Sequence, residues 1–72
     1  MITVEEIVKL GGLQNPQIDY EFHFDGWEYL YNYKTKTFWW INDGFGEPEL
    51  LSSGVTTQDH LFEILDSLNL ID

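Results

Sequence analysis

Residues 18–41 read Ile18-Asp19-Tyr20-Glu21-Phe22-His23-Phe24-Asp25-Gly26-Trp27-Glu28-Tyr29-Leu30-Tyr31-Asn32-Tyr33-Lys34-Thr35-Lys36-Thr37-Phe38-Trp39-Trp40-Ile41. From Ile18 to Phe24, large apolar side chains alternate with Asp19, Glu21 and His23. A period of two marks a strand with one buried face. Asp25-Gly26 follows, a pair favoured in two-residue hairpin turns because both positions need a positive φ. A second strand over 27–33 then places Trp27 opposite Phe24, Tyr29 opposite Phe22, Tyr31 opposite Tyr20 and Tyr33 opposite Ile18. All eight large side chains share one face, whereas a slip by one residue scatters them. A turn around Lys34-Thr35-Lys36 leads into a third strand over 37–41. With the turn centred on Thr35-Lys36, Phe38 and Trp40 join the aromatic face, and Trp39 and Ile41 point the other way, beside Leu30. A loop longer by one residue swaps these assignments.

Working outward, residues 3–10 read as a short helix. Thr3 and Glu6 form a capping box, Ile2 and Ile7 occupy the positions of a hydrophobic staple, and Gly11-Gly12 stops the helix. Val4, Ile7, Val8 and Leu10 are its expected apolar side. Gln14–Gln17 reads as a connector. Residues 42–54 form an acidic loop rich in Gly, Pro and Ser, with Leu50 and Leu51 tucked beneath it. A second helix covers 57–69, capped by Thr56 or Thr57. It carries an apolar stripe of Leu61, Ile64, Leu65 and Leu68 flanked by Phe62, with Asp59, Glu63 and Asp66 opposite. The expected fold is α+β: one domain over 1–72, in two layers, with order α-β-β-β-α. A three-stranded antiparallel meander needs a cover on its apolar face, and the C-terminal helix supplies it.

The stretch Tyr29–Trp40 resembles the second hairpin of a WW domain, with Asn32, Thr35 and Trp40 at matching positions. Tyr33 stands where that family has His, and Phe38 where it has a Thr of the ligand groove. Trp27 lies too near Trp40 to be the family's first Trp, Asp43 replaces its closing Pro, and a WW domain has no helices. The resemblance covers about twelve residues. It implies a hairpin geometry in which Tyr29, Tyr31, Tyr33, Phe38 and Trp40 share a face, and the family's binding of proline-rich peptides is not carried over.

The chain has 72 residues, with 13 Asp and Glu, three Lys and no Arg, for a net charge of −10. Affinity for a phosphate backbone comes from cations that release condensed counterions. Three lysines cannot provide it, so direct nucleic-acid binding and anionic membrane surfaces are both disfavoured. Without cysteine there are no disulfides, thiolate chemistry or cysteine-held metals. No basic leader or long apolar run is present, so the cytoplasm is the expected location. A domain this small buries only about 60% of the surface its unfolded chain exposes. Twelve aromatic residues, five Phe, four Tyr and three Trp, are the expected substitute for a staple. Self-repulsion among the acids predicts higher stability in moderate salt at mildly acidic pH than in low salt at about pH 9. Melting temperatures measured under both conditions test this, and equal values speak against strong repulsion.

Catalytic patterns are lacking. His23 is expected across from Glu28 as a solvated cross-strand partner, and His60 on the exposed first turn of the second helix. Neither has the spacing of a zinc site. Asn42-Asp43-Gly44 begins like a calcium loop but lacks the acid spacing and final Glu. Ser52 and Ser53 have no base, Gly44 and Gly46 precede no Lys, and Glu47 with Glu49 does not stand out in so acidic a chain. No enzyme activity, metal or cofactor is expected. The sharper feature is the sheet face opposite the aromatic one. There Leu30, Trp39 and Ile41 form an apolar centre ringed by Asp19, Glu21, Glu28 and Asn32, as in interaction surfaces. Either this face is bare and binds a partner, or the first helix covers it with Val4, Ile7 and Val8. The expected partner is a basic protein surface. One version is a nucleic-acid mimic of the kind phages and other mobile elements carry as nuclease inhibitors. The alternative is a homodimer or assembly subunit that pairs this face with itself.

Overall fold

The structure, a computed structural model, describes residues 1–41 and 46–71. Its elements in chain order are α1 (Val4–Lys9), β1 (Leu13–Gln14), β2 (Glu21–Phe24), β3 (Tyr29–Asn32), β4 (Thr37–Trp40), β5 (Glu49–Ser52) and α2 (Gln58–Ser67). The fold is α+β, as the sequence predicts, with β2, β3 and β4 forming the meander. The sheet has five strands rather than three, in the order β1-β2-β3-β4-β5, and every neighbouring pair is antiparallel. β1 lies in the expected connector and β5 in the expected acidic loop. Positions 42–45 of that loop, including Asn42-Asp43-Gly44, lie outside the described residues.

Asp25 and Gly26 adopt the positive φ values of 52° and 68° that a primed turn demands. The closing pair is nevertheless Phe24 with Tyr29, not Phe24 with Trp27, so the loop has four residues. Phe22 then faces Tyr31, and His23 faces Leu30. A shift of two preserves the side-chain alternation, so Phe22, Phe24, Tyr29 and Tyr31 still share a face. The next hairpin behaves alike. Tyr31 pairs with Phe38 and Asn32 with Thr37 around a loop of four. That loop is held by Asn32, whose Oδ1 accepts from the backbone N–H groups of Lys34 at 2.9 Å and Thr35 at 3.0 Å. Phe38 therefore joins the aromatic face, and Trp39 faces away from it beside Leu30. The first long strand is shorter than 18–24. Ile18 sits in a bend closed by Asn15, whose Oδ1 accepts from the N–H groups of Gln17 and Ile18.

Both helices lie on the aromatic face. Ile2 and Ile7 bury into one cluster with Phe22, Phe24, Tyr31, Phe38, Val55, Leu61 and Leu65. The N-termini of the helices meet at a shallow polar pocket lined by Met1, Glu6, Thr57, Gln58 and Asp59. The Thr3–Glu6 capping box is present, and Thr57 caps α2. Each helix ends in a Schellman motif, which satisfies its last carbonyls. In α1, Gly12 donates to the Ile7 carbonyl and Gly11 to that of Val8; in α2, Leu70 donates to Leu65 and Asn69 to Asp66. Val4 and Val8 are exposed, contrary to the apolar side expected for α1. A two-turn helix with apolar groups on several sides is oriented by what it packs on, and here Ile2 and Ile7 win. Leu50 and Leu51 are not tucked under a loop. Leu50 pairs with Trp39, and the register steps by one between Phe38 and Trp39, which leaves Leu51 as the extra residue of a bulge.

Candidate functional site

Because both helices cover the same face, no helix or strand of the described residues covers the other face of the sheet, where Trp27 lies over His23. The strand registers line up one rank across it: Leu13 opposite His23, His23 opposite Leu30, Leu30 opposite Trp39, and Trp39 opposite Leu50. Beside this rank runs a polar one, Glu21–Asn32–Thr37. Leu30 and Trp39, two of the residues expected to form the contact surface, are thus direct neighbours. With Asn32, Glu47 and Pro48 they line an open groove of about 460 Å³. Trp39 is oriented by its Nε1–H, which donates to Thr37 Oγ1 at 2.8 Å.

The other expected residues are placed as follows. Ile41 is half-buried, keeps the alternation of Trp39 and donates its backbone N–H to the Glu28 carbonyl at 2.8 Å, but does not line the groove. Glu28 is half-buried and ends the loop before β3. Glu21 shares the face of His23, and its Oε1 accepts from Asn15 Nδ2 at 3.5 Å. Asp19 is exposed on the connection between β1 and β2, its carbonyl accepting from Gln14 Nε2 at 2.8 Å. Sequence reasoning misses Leu13, Leu50, Glu47, Pro48 and the burial of His23. A two-residue strand such as β1 has no periodicity to read. Glu49-Leu50-Leu51-Ser52, bounded by Pro48 and Gly54, is a short strand signal without alternation.

His23 departs most from expectation. It faces Leu30 rather than Glu28, is only 8% exposed and, among the described residues, has no hydrogen-bond partner at either ring nitrogen. The longer loop is the cause. It lifts Trp27 off the aromatic face and lays its indole against the imidazole, edge-on at 3.9 Å between centroids. Trp27 itself stays 58% exposed. Burial pushes the imidazole pKa below its ordinary 6.5, and the Glu21 carboxylate, which raises it, does not restore it. The unfolded chain therefore takes up this proton more readily than the folded one. The stability that comes with neutral His23 is present above about pH 6.5 and is lost as pH falls through the lower folded value. This opposes the acid-side gain expected from reduced self-repulsion. In melts at about pH 7 and about pH 5, His23→Leu is expected to retain stability that the parent loses, and equal losses in the two proteins would refute the assignment. His60 is half-buried, its Nε2 3.5 Å from Ser52 Oγ. Among the described residues, no three His, Asp or Glu side chains come together as metal ligands, and no helix is long and apolar enough to cross a membrane.

Carboxylates lie in both layers, with Glu5 and Glu6 on α1 and Asp59, Glu63 and Asp66 on α2, whereas the three lysines are held away from the uncovered face. Lys9 is on α1, in the helix layer. Lys34 Nζ lies 5.3 Å from the centroid of Tyr20, and Lys36 Nζ lies 4.5 Å from that of Tyr33, a ring packed against the helix-side core. The uncovered face keeps the carboxylates of Glu21 and Glu47.

The chain matches no family model, no curated protein and no solved structure.

Proposed function

We propose that this chain is a small acidic interaction protein that binds a basic partner protein through its uncovered sheet face and carries out no chemistry itself. The observation that carries the reading is the apolar rank through Leu30 and Trp39, which no helix covers although two are present. An apolar centre with a charged rim is the usual build of a contact surface, and Trp is a frequent hot spot. A net charge of −10 speeds encounter with a positive surface and disfavours acidic partners. The cytoplasm is the setting that suits this reading.

A nucleic-acid mimic, such as a phage-borne nuclease inhibitor, is one form of it. Its carboxylates would do most of the work, so Glu→Gln changes on one face would matter more than Trp39. The homodimer is the second reading, favoured by the same uncovered apolar rank. A pull-down from the native host, run at low and high salt with the parent and with Trp39→Ser as baits, separates these. The expected result is a basic protein retained by the parent, released by salt and lost with Trp39→Ser. Retention that ignores both changes overturns the reading. A sedimentation mass twice that of the chain, falling to one on Trp39→Ser, supports the homodimer.

A further inference from the structure

The rank Leu13–His23–Leu30–Trp39–Leu50 crosses four strand spacings, about 19 Å, and is flanked on the same face by Glu21. The groove in its second half has an apolar wall of Leu30 and Pro48, the Trp39 indole, and the Glu47 side chain. Lys9 belongs to the helix layer, and Lys34 and Lys36 are held over Tyr20 and Tyr33. A second copy of the chain would set carboxylates against carboxylates here, whereas a cationic segment meets opposite charge at Glu21 and Glu47.

We infer that a basic segment of the partner protein seats on this rank, with one of its arginine or lysine side chains in the groove between Trp39 and Glu47. The inference rests on the reading that the chain binds a basic partner. The aliphatic stem of such a side chain packs on Leu30 and Pro48, its head meets the indole, and the Glu47 carboxylate pairs with it. Apolar side chains of the same segment cover Leu13 and Leu50, which are 63% and 49% exposed in the free chain.

The test is an amide and indole NMR titration of the whole protein with a short leucine–lysine peptide, with its leucine–glutamate counterpart as control. Shifts are expected along Leu13, Leu30, Trp39 and Leu50 and at the Trp39 indole proton, with α2 unmoved. Trp39→Ser is expected to weaken binding at least about tenfold. Glu47→Gln, an exposed change that leaves the core untouched, weakens it severalfold, and added salt does the same. Shifts spread over Asp59, Glu63 and Asp66 instead of the rank overturn the inference, as does equal binding of the glutamate peptide or self-association that occupies Trp39. If the host pull-down yields a basic partner while the map misses the rank, the seat and the face are wrong and only the binding of a basic partner stands. If the map hits the rank and no basic partner exists, the reverse holds.

Discussion

Tyr31→Ala is expected to leave the chain largely unfolded. Tyr31 is fully buried at the centre of β3, between Phe22 on β2 and Phe38 on β4. Its hydroxyl donates to the Val55 carbonyl, which ties the segment before α2 to the sheet. Removing a buried ring costs about 3–5 kcal/mol, and stranding the carbonyl adds about 1–3 kcal/mol. A domain of this length has a total stability of about 4–11 kcal/mol. Tyr31→Phe keeps the ring and isolates the hydrogen bond, so it should fold with a loss of about 1–3 kcal/mol. Urea unfolding followed by far-ultraviolet circular dichroism distinguishes the two. A Tyr31→Ala protein within about 1 kcal/mol of the parent would remove Tyr31 from the core. The pair also separates in alkali. Burial, helped by Tyr33, raises the Tyr31 phenol to about 12, whereas an unfolded tyrosine titrates near 10. The stability of the neutral phenol is thus present below about pH 10 and lost as pH rises through about 12, a loss that Tyr31→Phe should not show.

Gly12→Val is expected to cost about 3 kcal/mol or more, at the upper end of overpacking effects. A Cβ at this position would stand 2.9 Å from Ile7 Cγ2, 3.0 Å from the Ile7 carbonyl oxygen and 3.0 Å from Phe24 Cζ. The carbonyl is the one that accepts the Gly12 N–H in the cap of α1. The helix end and Phe24 cannot both keep their places, so α1 must lift from the sheet. Gly11 next door is the contrast. A Cβ there meets nothing, but φ is +102°, so Gly11→Ala should cost only about 1–2 kcal/mol. Urea midpoints for the two variants in the same buffer test the order. Equal losses would mean that α1 does not press on Phe24.

Face assignment was legible in the residues because alternation survives any register error of two. That is why Phe22, Phe24, Tyr29, Tyr31 and Phe38 fall on one side although both hairpin loops are two residues longer than expected. Loop length was not legible. Asp25-Gly26 takes its primed-turn angles, yet the longer loop carries Trp27 onto His23 instead of the aromatic face, and no local rule sets that loop length. Of the expected contact residues, Leu30 and Trp39 meet in the groove, whereas Ile41 and Asp19 lie outside it. The edge strands escaped for two reasons: β1 is two residues long, and β5 breaks its own alternation at the Leu51 bulge. The layer that α1 joins depends on packing between distant segments. Ile2, Ile7 and Gly12 decide it together, and only the folded chain brings them to Phe24.

The most direct test is the urea unfolding of Trp39→Ser. If the face bearing Leu30 and Trp39 is free of any covering layer, this variant stays folded as a monomer. It then loses only about 1 kcal/mol, the scale of a cross-strand pair, and the slope of its transition is unchanged. Collapse of the fold on the scale of Tyr31→Ala would mean that Trp39 is core and that the chain has no spare face to offer a partner.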